Sequence, residues 1–211
     1  MKRILVLSPH PDDEAIGCGG IICRHIQEGD FVEVVFLTSG EKGGHGLSPE
    51  KTKIIREKEA ADAAMVLGYQ SFEFWRHPDG GLKVNTENIE QLQLKIKQCQ
   101  PDVIYVTHDA EMHPEHRAAA MLVKQALSSV SLNVKPVVLM YEVWTPLQDM
   151  DHIEDITVFI DIKRRAIQAH KSQCSVLKFD EATICLNRYR GEMHSWPGGD
   201  YAEVFVIMKL D

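Results

Sequence analysis

Apolar residues in this chain come in short unbroken runs, separated by longer stretches where they recur every three or four positions. "RILVL" at residues 3–7 reads as a buried strand, and "EAIGCGGIICRHIQEG" as a helix ending at Gly29. "FVEVVFLTSG" is strand-like from Phe31 to Leu37. After the glycine-rich "SGEKGGHGLSP" comes a helical stretch, residues 50–68, with an apolar face of Ile54, Ile55, Ala61, Ala64, Met65 and Leu67. "SFEFW", the turn "HPDGG", the helical "TENIEQLQLKIKQC" and the strand "DVIYVT" follow. Beyond "HDAEMHPEH", a helix runs through "RAAAMLVKQAL" and "PVVLMYEVW" returns as a strand. The apolar run "ITVFIDI", a helix "KRRAIQAHKSQ" and the apolar "YAEVFVIMKL" close the sequence. Strands alternating with helices of this length predict βαβ crossovers and a mainly parallel sheet covered on both faces. With no repeat, linker or low-complexity segment, the expectation is one α/β domain over residues 1–211, a Rossmann-like three-layer α/β/α arrangement.

Composition narrows the function classes. The 44% hydrophobic and 26% charged residues of this 211-residue chain suit one substantial core. A formal charge of −8 argues against general nucleic-acid or anionic-membrane binding. No apolar run reaches the length of a membrane span, and "MKRILVLSPHPDDE" turns acidic too early for a signal peptide. The five scattered cysteines, with no CxxC pair, suit reduced thiols in a cytoplasm.

Two histidine-bearing acidic segments fall at predicted strand ends, where ligands bind in open α/β sheets: "PHPDDE" after the first strand and "THDAEMHPEH" after "DVIYV". Each alone also reads blandly, as helix-start acids that favour the dipole or as surface histidines beside Pro114 at a first helical position. Were the two strands neighbours, His10, Asp12 and Asp13 could meet His113 and His116 across one crevice. Imidazole with carboxylate suits zinc, and a catalytic site uses three ligands and leaves room for water. A neighbouring acid would then be free to take a proton from that water. A rival reading takes "GCGG" as a phosphate-binding loop of a nucleotide module. However, those glycines lie inside the predicted helix and the loop before them is acidic. A second rival is a metal-binding module without activity, against which the spare acid Asp12 speaks.

"PHPDDEAIGCGG" together with "HPEHRAA" resembles the PIG-L/LmbE family of zinc-dependent N-acetylglucosamine deacetylases, whose usual motifs are PHPDDE and HPDH. "LTSGEKG", "REKEAADAAMVLG", "PDGGL", "QPDVIYV", "AHKSQ" and "RYRG…YAEVF" resemble family segments in family order. The resemblance implies a Rossmann-like fold and hydrolysis of an acetamide on a glucosamine unit. It makes His10, Asp13 and His116 ligands of Zn2+ (Fe2+ or another divalent ion being an alternative), Asp12 the general base, and His113 a stabiliser of the oxyanion. Either Asp12 or His113 protonates the leaving amine. Glu115 stands where the family has aspartate and is expected to orient His113 and keep it protonated, with Asp109 another partner for a histidine. Arg56 matches a substrate-binding arginine, or else pairs with Glu59. Asp79 and Glu41 match acids that contact sugar hydroxyls, and Arg188 lies in a stretch like a substrate-lining segment. Trp144 and Trp196 could stack on a sugar or serve the core. Glu14 is left as a helix-start acid. The implied partner is a small GlcNAc conjugate, with a trimer or hexamer of the chain as the family's usual assembly.

Overall fold

The computed structural model describes residues 1–132, 134–194 and 199–210. Its strands are β1 (Arg3–Ser8), β2 (Phe31–Thr38), β3 (Ser71–His77), β4 (Val103–Thr107), β5 (Val137–Tyr141), β6 (His152–Asp155) and β7 (Ala202–Ile207). The helices are α1 (Asp13–Gln27), α2 (Pro49–Leu67), α3 (Thr86–Cys99), α4 (Pro114–Ser129), α5 (Ile160–Ala169), α6 (Lys171–Cys174) and α7 (Phe179–His194). The strands form one sheet in the order β3-β2-β1-β4-β5-β7-β6. The β1–β2, β2–β3, β1–β4 and β4–β5 pairs are parallel, and β7 runs antiparallel to both of its neighbours. Helices cover both faces: α1, α2 and α5 enclose one apolar cluster, α3 and α4 the other. The expected Rossmann-like α/β fold is therefore present.

The chain winds outward from β1 through β2 to β3, then returns to lay β4 on the other side of β1. That reversal opens a crevice at the carboxyl ends of β1 and β4, the switch point where such sheets bind ligands. The two histidine-bearing segments meet there because β1 and β4 are neighbours.

Two expectations change. The run "ITVFIDI" is not a strand but a 3₁₀ turn, Thr157–Phe159, leading into α5. The Asp155 carboxylate accepts the Thr157 N–H there, and Val158 is exposed. The buried stripe of α2 is Thr52, Arg56, Glu59, Ala60, Ala63, Ala64 and Leu67, while Ile54 and Met65 face solvent. That stripe has helical spacing, but two of its members are charged and held by specific partners, so apolar residues alone misplace the face. The "GCGG" glycines lie inside α1, as the sequence predicts, and serve close packing there. A Cβ at Gly17 would lie 2.1 Å from the Tyr141 ring, and one at Gly20 2.4 Å from Ile156. Among the described residues no helix is long and apolar enough to cross a membrane.

Candidate metal centre

The corner between β1 and α1 is locked by its own polar groups. Ser8 donates to the His10 carbonyl at 2.6 Å, and the Asp13 carboxylate accepts the His10 N–H at 2.9 Å. Glu14, far from being a solvated helix-start acid, is fully buried. It accepts from the Asp12 N–H at 3.2 Å, the Tyr69 hydroxyl at 3.3 Å and the Ser8 hydroxyl at 3.3 Å, with His170 at 3.8 Å. This bracing holds Asp12 at φ 137°, ψ −29°, a backbone conformation that a residue with a Cβ adopts only under constraint. Arg56 adds a second clamp, donating to the Pro11 carbonyl at 2.8 Å, the Gly40 carbonyl at 3.0 Å and the Asp12 carboxylate at 3.1 Å. Gly40 is required beside it: a Cβ there would lie 2.2 Å from the guanidinium. Arg56 thus pairs with Asp12 rather than Glu59, which binds Ser172.

Three donor atoms converge at the crevice. His10 Nδ1 lies 3.2 Å from Asp13 Oδ2, His116 Nε2 lies 3.2 Å from the same oxygen, and the two imidazole nitrogens are 3.3 Å apart. Ligands about 2.0–2.1 Å from a tetrahedral metal are separated by roughly 3.3 Å, so these residues fit a divalent ion without rearrangement. Burial opposes charge on Asp13, but His116 and His10 outweigh it and hold the carboxyl far below its usual range. Burial likewise opposes a proton on His116, yet Asp13 and Glu111 hold its imidazole at about 9. Positive charge is what this cluster stabilises.

A carboxylate stands behind each imidazole, the arrangement that orients metal-ligating histidines. Behind His10 Nε2 are Glu115 at 3.0 Å and Asp79 at 3.6 Å. Behind His116 Nδ1 is Glu111 at 3.7 Å. Glu115 therefore serves His10, not His113 as the sequence suggests. Its second oxygen accepts the Leu82 N–H at 3.0 Å, which ties the side chain to the loop after β3. His113 instead caps α4, its Nδ1 accepting the Glu115 N–H at 3.3 Å. Burial, with the charges of His10 and His116, lowers its pKa, so the ring is neutral with its proton on Nε2. Burial also lifts the Asp12 carboxyl to about 6, against the pull of Arg56 and with the help of Asp13.

His10, Asp12, Asp13, His113 and Glu115 line a cavity of about 420 Å³ together with Lys42, Gly43, Asp79, Trp144, Gln173 and Phe179, with His116 buried behind them. Glu41 stands one step back, accepting the Asp79 N–H at 2.8 Å, while Asp79 accepts the Lys42 N–H at 2.7 Å. Arg188 does not reach the cavity. It pairs with Glu192 and, at 3.2 Å, with Asp200 on the exposed face of α7, over the Tyr201 ring. Asp109 is exposed and holds no histidine, and Trp196 lies outside the described residues. Sequence reasoning missed Glu111. One of its oxygens accepts the successive N–H groups of Val143, Trp144 and Thr145 at 2.7–3.0 Å while the carboxylate backs His116. His108 joins the same loop through the Thr145 carbonyl at 2.7 Å. The one available signal was an acid five positions before His116 in the same segment.

Residues 5–127 match the family model described as PIG-L, GlcNAc-PI de-N-acetylase. The chain belongs to the PIG-L family. Among PIG-L relatives, the uncharacterized deacetylase YaiS of Escherichia coli K12 is 31% identical over 183 residues, covering 81% of this chain and 91% of that protein. The crystal structure of the conserved protein TT1542 from Thermus thermophilus superposes with a TM-score of 0.84 at 34% identity, covering 100% of this chain and 96% of that one. The N,N'-diacetylchitobiose deacetylase of Pyrococcus horikoshii, solved with its inhibitor MPG, gives a TM-score of 0.88 at 26% identity, with 98% and 84% covered. The PIG-L motifs of this chain, "PHPDDE" and "HPEH", supply every atom of the converging donor set.

Proposed function

We propose that this PIG-L protein hydrolyses the acetamide of a small molecule containing N-acetylglucosamine, releasing acetate and the free amine. The observation that carries the reading is the 3.2–3.3 Å triangle of His10, Asp13 and His116 with Asp12 clamped beside it. The deacetylase relatives supply the acetamide. Zinc is the proposed ion, with iron or another divalent metal the alternative, since histidine–carboxylate sites discriminate poorly among them. Bound by these three residues, the ion supplies Lewis-acid chemistry, polarising an acyl carbonyl and lowering the pKa of a water toward about 7.

The chain's own residues do the rest. Asp12, with a carboxyl near 6, is tuned to take a proton from the attacking water at neutral pH. His113, its Nδ1 occupied by the Glu115 N–H, presents an Nε2 proton to the oxyanion that develops on the acyl oxygen. Asp12, having taken the proton of the attacking water, is placed to return it to the departing amine. Asp79, with a carboxylate in the cleft wall, accepts from sugar hydroxyls, and Glu41 fixes the loop that carries it. Arg56 spends its bonds on Asp12 and two carbonyls, so its task is to aim the base. Residues 1–211 are read as one domain acting on a small soluble substrate in the cytoplasm.

Metal analysis combined with an amine-release screen over N-acetylglucosaminides tests this. The expected result is one divalent ion per folded chain and amine release that tracks metal loading. Unchanged turnover by thoroughly chelated protein overturns the reading.

A further inference from the structure

Beside the reaction cleft lies a second cavity of about 380 Å³, within the ~300–1,000 Å³ range of ligand pockets. The two share one wall, built from Ile16, Val143, Trp144, Leu177 and Phe179. Trp144 and Phe179 stand edge to face, with ring centroids 5.4 Å apart. From that wall the second cavity continues along α7, past Ala182, Thr183 and Leu186. Its charged neighbours are already satisfied. Arg190 donates to Glu142 at 2.7 Å and 3.1 Å, Lys163 donates to Glu203 at 2.6 Å, and Lys178 pairs with Glu181 at the mouth. The wall it shares with the reaction cleft is apolar and aromatic; Glu142, Glu203, Thr183 and Asn187 add polar atoms farther in, where the buried Asn187 Oδ1 has no partner among the described residues.

Sheet order divides the surroundings of the metal centre into two halves. Lys42 and Arg56 follow β2 and Asp79 follows β3, so the polar groups lie on the β2–β3 side of β1. The shared apolar wall lies on the opposite side, where Val143 and Trp144 follow β5 and Phe179 begins α7. An amide held with its carbonyl at His10, Asp13 and His116 extends in two directions from that point. Its glucosamine belongs on the polar side, and its acyl group then points at the apolar wall. A methyl leaves almost all of the second cavity empty.

We infer that the protein hydrolyses N-acyl groups longer than acetyl, the apolar chain passing the Trp144–Phe179 wall into the cavity beside α7. The inference rests on the amide-hydrolysis reading above and names the acyl class that reading leaves open. The chemistry stays balanced: water adds to the acyl carbon, the C–N bond breaks, the nitrogen gains a proton, and a longer carboxylate leaves in place of acetate.

The test is a series of N-acyl glucosamines from acetyl through butanoyl and hexanoyl to octanoyl, assayed for free amine with metal-loaded protein. Each methylene moved from water into the cavity is worth up to about fourfold. The expected result is therefore a kcat/KM about tenfold or more higher for hexanoyl than for acetyl, carried mainly by KM. Ala182 sits on the exposed side of α7, so Ala182→Trp fills the cavity from its mouth without entering the core. It is expected to bring the hexanoyl-to-acetyl ratio down to about one or below. Leu186→Ala should move the preferred chain toward octanoyl. Hydrolysis of acetyl with falling rates for every longer chain overturns the inference and leaves the deacetylase reading intact. So does a chain-length gain that survives Ala182→Trp, or one seen only when the alkyl group sits on the anomeric oxygen of N-acetylglucosamine. If no acyl group is released, the amide-hydrolysis reading fails and this inference falls with it.

Discussion

Replacing Asp12 by asparagine is expected to slow acetamide hydrolysis by about 10²–10⁴-fold, with metal loading retained. Asparagine keeps the shape of the side chain and an oxygen that can still accept from Arg56, and it tolerates positive φ better than other residues with a Cβ. What it removes is the proton acceptor. A stability readout separates this from misfolding. The Asp12 carboxyl is raised from 3.8 to about 6 on folding, because burial outweighs Arg56. A group with a raised folded pKa contributes stability below its unfolded value, and that contribution is lost as pH rises through the folded value. Above about pH 6 the charged carboxylate is thus held at a cost in the metal-free protein. The Asp12→Asn variant should therefore unfold at no lower denaturant concentration than the parent at pH 8. Parental kcat in a folded, metal-loaded variant would remove Asp12 from the mechanism.

The second large effect lies away from the chemistry. Lys163 and Glu203 are both buried, with Nζ and Oε1 2.6 Å apart, and Glu203 also accepts the N–H groups of Gly20 and Ile21 at 2.7 and 2.8 Å. This pair ties α5 and β7 to the middle of α1, the helix whose first residue is Asp13. Lys163→Met leaves a buried carboxylate without its cation, a change that costs about 3–5 kcal/mol. For a chain of this size that corresponds to a fall in melting temperature of roughly 10 °C. Adding Glu203→Gln should recover part of the loss, since the stranded charge is gone and the amide oxygen still accepts one of the two α1 N–H groups. A loss below about 1 kcal/mol for Lys163→Met contradicts this account.

The sheet was legible because its central strands are continuous apolar runs, and both site segments sit at their ends. The meeting of His10, Asp12, Asp13 and His116 in one crevice was legible for the same reason, since the motif is local and β1 lies beside β4. What stayed hidden depends on long-range pairing. The buried positions of α7 are Thr183, Ile184, Asn187, Arg190 and Gly191, which have helical spacing but include one large apolar side chain. Arg190 is tolerated there because Glu142 and the Leu147 carbonyl receive it. The four-residue β6 carries two acids and a histidine, too short and too polar to announce a strand. Glu14 and Glu111 look like surface acids until their partners from other elements are in place. Glu115 was misassigned because sequence adjacency favours His113, whereas the helix start turns its carboxylate toward His10.

The Glu111 carboxylate grips the 143–145 backbone with one oxygen and backs the His116 imidazole, so Trp144 and His116 share a single mount. For redesign this sets an order of work. On the proposed reading, rebuilding the aromatic wall through the 143–145 loop also shifts the His116 imidazole, so a gain in acyl preference is expected to arrive with a loss in metal affinity. Changes made from α7, which among the described residues has no such linkage to His116, are expected to alter what the pocket accepts while His10, Asp13 and His116 stay where they are.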